Sequence, residues 1–100
     1  ADMSLNNPTG VAIAADGRVA ISDTDNNRAL LVGLDGQVSP VASVDHPTGL
    51  AFLDDDHLAI SASTDGQIYR VQLSAKKRSV IAGLQPSLFA EWKNWVRARL

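Results

Sequence analysis

Apolar residues run along this chain in short alternating stretches separated by turn-forming residues. Gly10-Val11-Ala12-Ile13-Ala14 and Arg18-Val19-Ala20-Ile21-Ser22 flank Ala15-Asp16-Gly17, where Gly17 can take a positive φ without steric cost, so the two runs predict a hairpin. Arg28 to Leu34 is a third run, closed by Asp35-Gly36, and Val38 to Val44 is a fourth. Pro40 withholds a ladder donor and is tolerated only at an edge, which puts the fourth strand outermost. A pair of helices does not fit, because Asp-Gly and Asn-Asn turn signals interrupt the apolar runs about every 6 to 10 residues.

The whole pattern recurs. Pro8, Pro47 and Pro86 are 39 residues apart, and without a gap Pro8-Thr9-Gly10-Val11-Ala12-Ile13 falls on Pro47-Thr48-Gly49-Leu50-Ala51-Phe52. Val19-Ala20-Ile21-Ser22 likewise falls on Leu58-Ala59-Ile60-Ser61, and Asp16, Val32, Leu34 and Val41 fall on Asp55, Val71, Leu73 and Val80. A third copy opens at Gln85-Pro86-Ser87, but Leu88 stands where Gly10 and Gly49 stood. The expected organisation is two units, 5–44 and 45–84, within 1–84, followed by 85–100. Four antiparallel strands repeating at about 40 residues mark a β-propeller blade, so the expected class is all-β.

Residues between the second and third strands carry a resemblance. Ser22-Asp23-Thr24-Asp25-Asn26-Asn27-Arg28, after Pro8-Thr9-Gly10-Val11-Ala12 and Asp16-Gly17, closely resembles an NHL repeat. The second unit keeps Pro47-Thr48-Gly49-Leu50-Ala51 but has Ala62-Ser63-Thr64-Asp65-Gly66-Gln67 in place of the signature, so it reads as a degenerate copy. Physically, Asp23 can accept backbone N–H bonds inside the turn, and Asn26 or Asn27 tolerates the left-handed conformation. Arg28 can reach a carboxylate or carbonyl of a neighbouring blade. These expected roles are structural.

Composition changes the picture little. With 45% hydrophobic and 20% charged residues and a net charge of −2, the chain has apolar content for a core and no field that would steer it onto nucleic acid. No apolar run approaches the roughly 20 residues of a membrane span, and no signal peptide is visible. The absence of Cys excludes a disulfide framework and leaves the compartment open. The first residue is Ala1 and not methionine, which implies processing or excision from something longer. Propellers close with roughly 4 to 8 blades, so two blades imply either a piece of a longer propeller or self-assembly, three copies giving the six blades that the resemblance implies.

The last stretch departs from the repeat. Ser87 is a candidate N-cap, and Leu88, Trp92, Trp95 and Val96 recur at helical spacing, with Lys93, Arg97 and Arg99 toward the end. A short C-terminal amphipathic helix, or a degenerate third-repeat start, is expected over 85–100.

Strand order sorts the polar residues by rim. The segment leading into strand one and the loop between strands two and three emerge together, so Asn7, His46 and Gln85, equivalent by repeat, are expected around the mouth of a central channel. Asp23, Asp25, Asn26, Asn27, Arg28, Thr64, Asp65 and Gln67 are expected to form the rest of that candidate binding surface. Related six-bladed lyases and lactonases imply a divalent-metal or acid-base site lined by Asp, Glu, Asn and His. His46 beside Asp45 could serve as ligand or base, but a solvated turn residue is the simpler expectation. His57 beside Asp54, Asp55 and Asp56 is expected on the opposite rim, where the spacing lacks an ordered ring of calcium ligands. Lys76-Lys77-Arg78 reads as a solvated turn, and Ser22 and Ser61 lack a nucleophile's context. No catalytic residue, metal or cofactor is assigned. The expected function is a non-catalytic scaffold or protein-interaction segment, partnered by a protein or by other blades; the alternative is part of a propeller lyase or lactonase.

Overall fold

The alternation and turn chemistry produce eight strands among the described residues. A computed structural model describes residues 4–82. The strands are β1 (Pro8–Ile13), β2 (Val19–Asp23), β3 (Arg28–Val32), β4 (Val38–Ser43), β5 (Pro47–Asp54), β6 (His57–Ala62), β7 (Ile68–Gln72) and β8 (Lys77–Ala82), with one 3-10 turn at Thr24–Asn26. They form two four-stranded antiparallel sheets in the orders β1-β2-β3-β4 and β5-β6-β7-β8. The expected helix over 85–100 and Gln85 lie outside the described residues.

Local chemistry sets the turns. Gly17 takes φ +101° and its N–H donates to Ala14 O at 3.0 Å, closing the first hairpin. Pro40 sits on the edge strand β4, opposite Leu30 and next to a bulge, where its missing N–H breaks no ladder. The strands begin and end up to two residues from the expected limits, because Pro8 and Pro47 already pair with Asp23 and Ala62. The basic run is not a solvated turn throughout. Lys77 and Arg78 open β8, Arg78 lies 4.7 Å from the Tyr69 ring centroid, and it donates to Ser43 O at 2.7 Å.

Cross-strand partners share a face, so register divides each sheet into unlike sides. In the first sheet Val11, Ile21 and Leu30 share one side with Ile13, Val19 and Val32, while the other carries Gly10, Ser22 and Ala29 with Ala12, Ala20 and Leu31. In the second, Leu50, Ile60 and Tyr69 line up with Phe52, Leu58 and Val71, and the reverse carries Gly49, Ser61 and Ile68 with Ala51, Ala59 and Arg70. The small side of the first sheet packs on the bulky side of the second. Ala20, Ala29, Leu58, Ile60 and Val71 are wholly buried there, with Phe52 and Tyr69 beside them. Each fully buried Leu, Ile or Val contributes about 1.5 to 3 kcal/mol.

Candidate functional site

The polar residues of the first unit gather where β2 hands over to β3. Asp23 and Arg28 are register partners at the ends of these strands, which puts their side chains on one face. The carboxylate of Asp23, with no exposed surface, accepts from Arg28 Nε at 2.7 Å and Asn26 Nδ2 at 2.9 Å. Its other oxygen accepts the backbone N–H of Asn6 at 2.7 Å. Two expectations change here. Arg28 bonds Asp23 and, at 3.2 Å, Ser4 O, and not the neighbouring sheet, because register already supplies a carboxylate. Asp23 bonds a backbone N–H before β1 and not one inside its own turn, because Pro8 pairs with Asp23 and brings Asn6 alongside. Burial alone would push the Asp23 carboxyl up, but the bonds from Asn26, Asn6 and Arg28 outweigh it and hold the group below the usual carboxylate range.

Asn27 carries the left-handed conformation expected of Asn26 or Asn27, with φ +53°. Its Oδ1 accepts the His46 N–H at 3.0 Å, and its carbonyl accepts the Val44 N–H at 3.1 Å. The loop of one unit thereby holds the start of the next. Gly66, 39 residues later, takes φ +69°. The second unit therefore keeps the backbone turn after losing the signature side chains, with glycine replacing asparagine where a Cβ is least tolerated. Asn7 and His46, again 39 apart, have φ +54° and +47°. This is unusual before proline, which favours extended backbone. Bonds from Asp25 N–H to Asn6 O and from Ser63 N–H to His46 O, at 3.0 and 3.1 Å, tie down both segments.

The seam between the sheets is also hydrogen-bonded. Ser22 Oγ donates to Thr48 O at 2.9 Å and Thr24 Oγ1 to Pro47 O at 2.7 Å. Thr24 has thereby spent its proton, so Thr9 Oγ1, 2.6 Å away, is the donor in their hydroxyl pair. A Cβ on Gly10 would collide with Thr48 O and lie 2.7 Å from Ser22 Oγ, so only glycine permits this approach. At the far end Arg18 donates to Asp55 O at 2.5 Å and lies 5.7 Å from the Phe52 ring centroid. Sequence reasoning missed the work of Ser22, Thr24 and Thr48; the recurrence of serine at Ser22 and Ser61 opposite Gly10 and Gly49 was the signal available.

Just before β5, His46 Nδ1 lies 2.7 Å from Asp45 Oδ1, and its Nε2 lies 4.0 Å from Asp25 Oδ1. Asp65 is exposed and bonds close to its own position in the chain, accepting the Gln67 N–H at 3.0 Å and the Tyr69 hydroxyl at 2.7 Å. Asn7, Asp25 and Asn26 are exposed, whereas Asp23 has no surface to present and Arg28 is partly buried. At the other end of the strands, Asp54 accepts the Asp56 N–H at 2.8 Å and faces His57 Nδ1 at 2.8 Å, and these bonds hold its carboxyl low. Asp56 accepts both the N–H and hydroxyl of Ser74, at 2.8 Å each. Asp54 and Asp56 thus brace separate backbone segments. Among the described residues no three His, Cys, Asp or Glu side chains are grouped to hold a metal.

Comparison with known proteins places this arrangement. The model of the NHL repeat matches residues 5–28, which include Gly10, Asp23 and Arg28. No curated protein sequence matches the chain. Among solved structures, virginiamycin B lyase from Staphylococcus aureus superposes with a TM-score of 0.66 at 17% identity. The match covers 84% of this chain and 31% of the lyase, and it shows a shared fold. The chain carries an NHL repeat at residues 5–28, and its paired sheets are blades of the β-propeller type.

Proposed function

We propose that the chain is a non-catalytic propeller segment that works as a scaffold and protein-interaction module. The observation that carries this reading is the saturation of the NHL signature. Asp23, Asn26, Asn27 and Arg28 all bond the turn or the segments that lead into the strands. The rim residues left exposed, Asn7, Asp25, Asn26, His46 and Asp65, form the surface offered to a protein partner, with Asp23 and Arg28 bracing it from behind. This surface is neutral to acidic, which suits a protein partner better than nucleic acid.

A second reading has its own observation. His46 between Asp45 and Asp25 is the grouping here closest to an acid-base or metal-assisted site, and it supports membership of a propeller lyase or lactonase whose other residues come from further blades. Titration of Mn²⁺ into isotopically labelled protein separates the two. The scaffold reading expects no saturable effect on the amides of Asp25, Asp45 and His46 and no rise in melting temperature. Selective paramagnetic broadening there, reversed by EDTA, would overturn it in favour of the second.

A further inference from the structure

The seam joins two unlike faces, and the chain leaves part of one of each exposed. On the first blade the bulky side is open along β1, with Val11 65% and Ile13 72% exposed, while Leu30 on the same side is wholly buried and Val19, Ile21 and Val32 are half-buried. By the 39-residue repeat, Val11, Ile13, Val19 and Ile21 hold the places of Leu50, Phe52, Leu58 and Ile60, which already pack on a small-residue face. On the second blade the small side is open, with Gly49 and Ala51 exposed. Gly49 and Ser61 repeat Gly10 and Ser22. A Cβ on Gly49 would meet only Ser61 Oγ and Cβ within 4 Å, whereas at Gly10 the missing Cβ admits a strand carbonyl from the other blade. Ser61 Oγ accepts the Gly49 N–H at 2.9 Å and lies 3.2 Å from Thr48 Oγ1; with Thr48 as the donor of that pair, the Ser61 proton can turn to an incoming carbonyl.

We propose that a second copy of this chain docks head-to-tail, the Val11-Ile13 face of one protomer seated on the Gly49-Ala51 face of the next. This rests on reading the chain as a blade scaffold and names its partner. In the interface Ser61 donates to Thr9 O of the incoming copy, as Ser22 donates to Thr48 O within the chain. Each contact buries a bulky row against glycine, alanine and serine, as the intrachain seam does. An interface between unlike surfaces either closes into a ring or runs on as a filament. Three copies supply six blades, within the usual range of about 4 to 8 for a closed propeller.

The test uses the 100-residue chain and two exposed substitutions, Ile13→Asp and Ala51→Glu, which leave the intrachain seam untouched. Sedimentation equilibrium is expected to give the mass of three chains for the wild type and of one for each variant, with unchanged β circular dichroism. An equimolar mixture of the variants is expected to give two chains and no more, because one intact head and one intact tail remain. A folded wild-type monomer up to its solubility limit, or variants that associate like the wild type, overturns the proposal. So does a wild type whose open faces are covered by its own remaining residues, seen as a compact monomer. If such a monomer also leaves its rim amides unmoved by Mn²⁺, the scaffold reading stands while this inference fails.

Discussion

Asp23→Ala removes one acceptor and leaves three donors without it. The Asn6 N–H is the costliest of these, because a backbone donor deprived of its partner loses about 1 to 3 kcal/mol if water cannot reach it. Arg28, 23% exposed, can turn toward solvent, so its share is nearer the roughly 0 to 1 kcal/mol of a surface pair. Removing the buried carboxylate also ends its own desolvation penalty, which offsets part of the loss. The net expectation is about 1 to 3 kcal/mol, or roughly 4 to 8 °C in melting temperature per kcal/mol for a domain of this size. Arg28→Ala should cost within the same range, and the double variant less than the sum, because the two groups share one bond. The pH dependence has a definite sign. Asp23 is depressed in the folded state, so its stabilisation is fully present above the unfolded value of about 3.9 and is lost as pH falls through the lower folded value. Thermal denaturation followed by circular dichroism at pH 7 and across the acid range checks both. An Asp23→Ala protein that melts with the wild type at pH 7, or that loses partner binding with its melting curve unchanged, would refute the structural role.

Gly10→Ala should cost about 1 to 3 kcal/mol by overpacking the seam, even after the unfolded-state gain of about 0.4 to 1 kcal/mol. Gly36→Ala is the control, since nothing lies within 4 Å and only its φ of +82° opposes a side chain; urea denaturation in which Gly36→Ala proves the costlier would place the tight contact wrongly. Tyr69, the single tyrosine, should titrate above its ordinary value because its hydroxyl donates to Asp65, with desolvation adding to this. Absorbance titration of Asp65→Asn should move it down toward about 10, and an unmoved titration would mean the bond does not form in solution.

Much of this was legible in the chain. The 39-residue period fixed the unit, Asp16-Gly17 and Asp35-Gly36 the turns, and Pro40 the outermost strand, because each depends on local sterics. Register-dependent features were not legible. That Asp23 faces Arg28 follows from a pairing visible only once β2 and β3 are aligned, and that Ser22 reaches Thr48 O requires the second sheet to be in place. The left-handed Asn7 and His46 run against the local preference before proline, and tertiary hydrogen bonds from neighbouring loops hold them there. Gly66 was readable only as part of a lost motif, since the sequence shows the missing side chains but not the retained backbone turn.

The central claim is that the NHL signature spends its polar groups on holding the segments that lead into β1 and β5. Native-state hydrogen exchange at the Asn6 and His46 amides tests it most directly, since these donate to Asp23 Oδ1 and Asn27 Oδ1. Both should exchange far more slowly than in a free chain, with Asp23→Ala releasing Asn6 and Asn27→Ala releasing His46, each more than the other amide. Free-chain exchange at both positions in the folded wild type would contradict the claim.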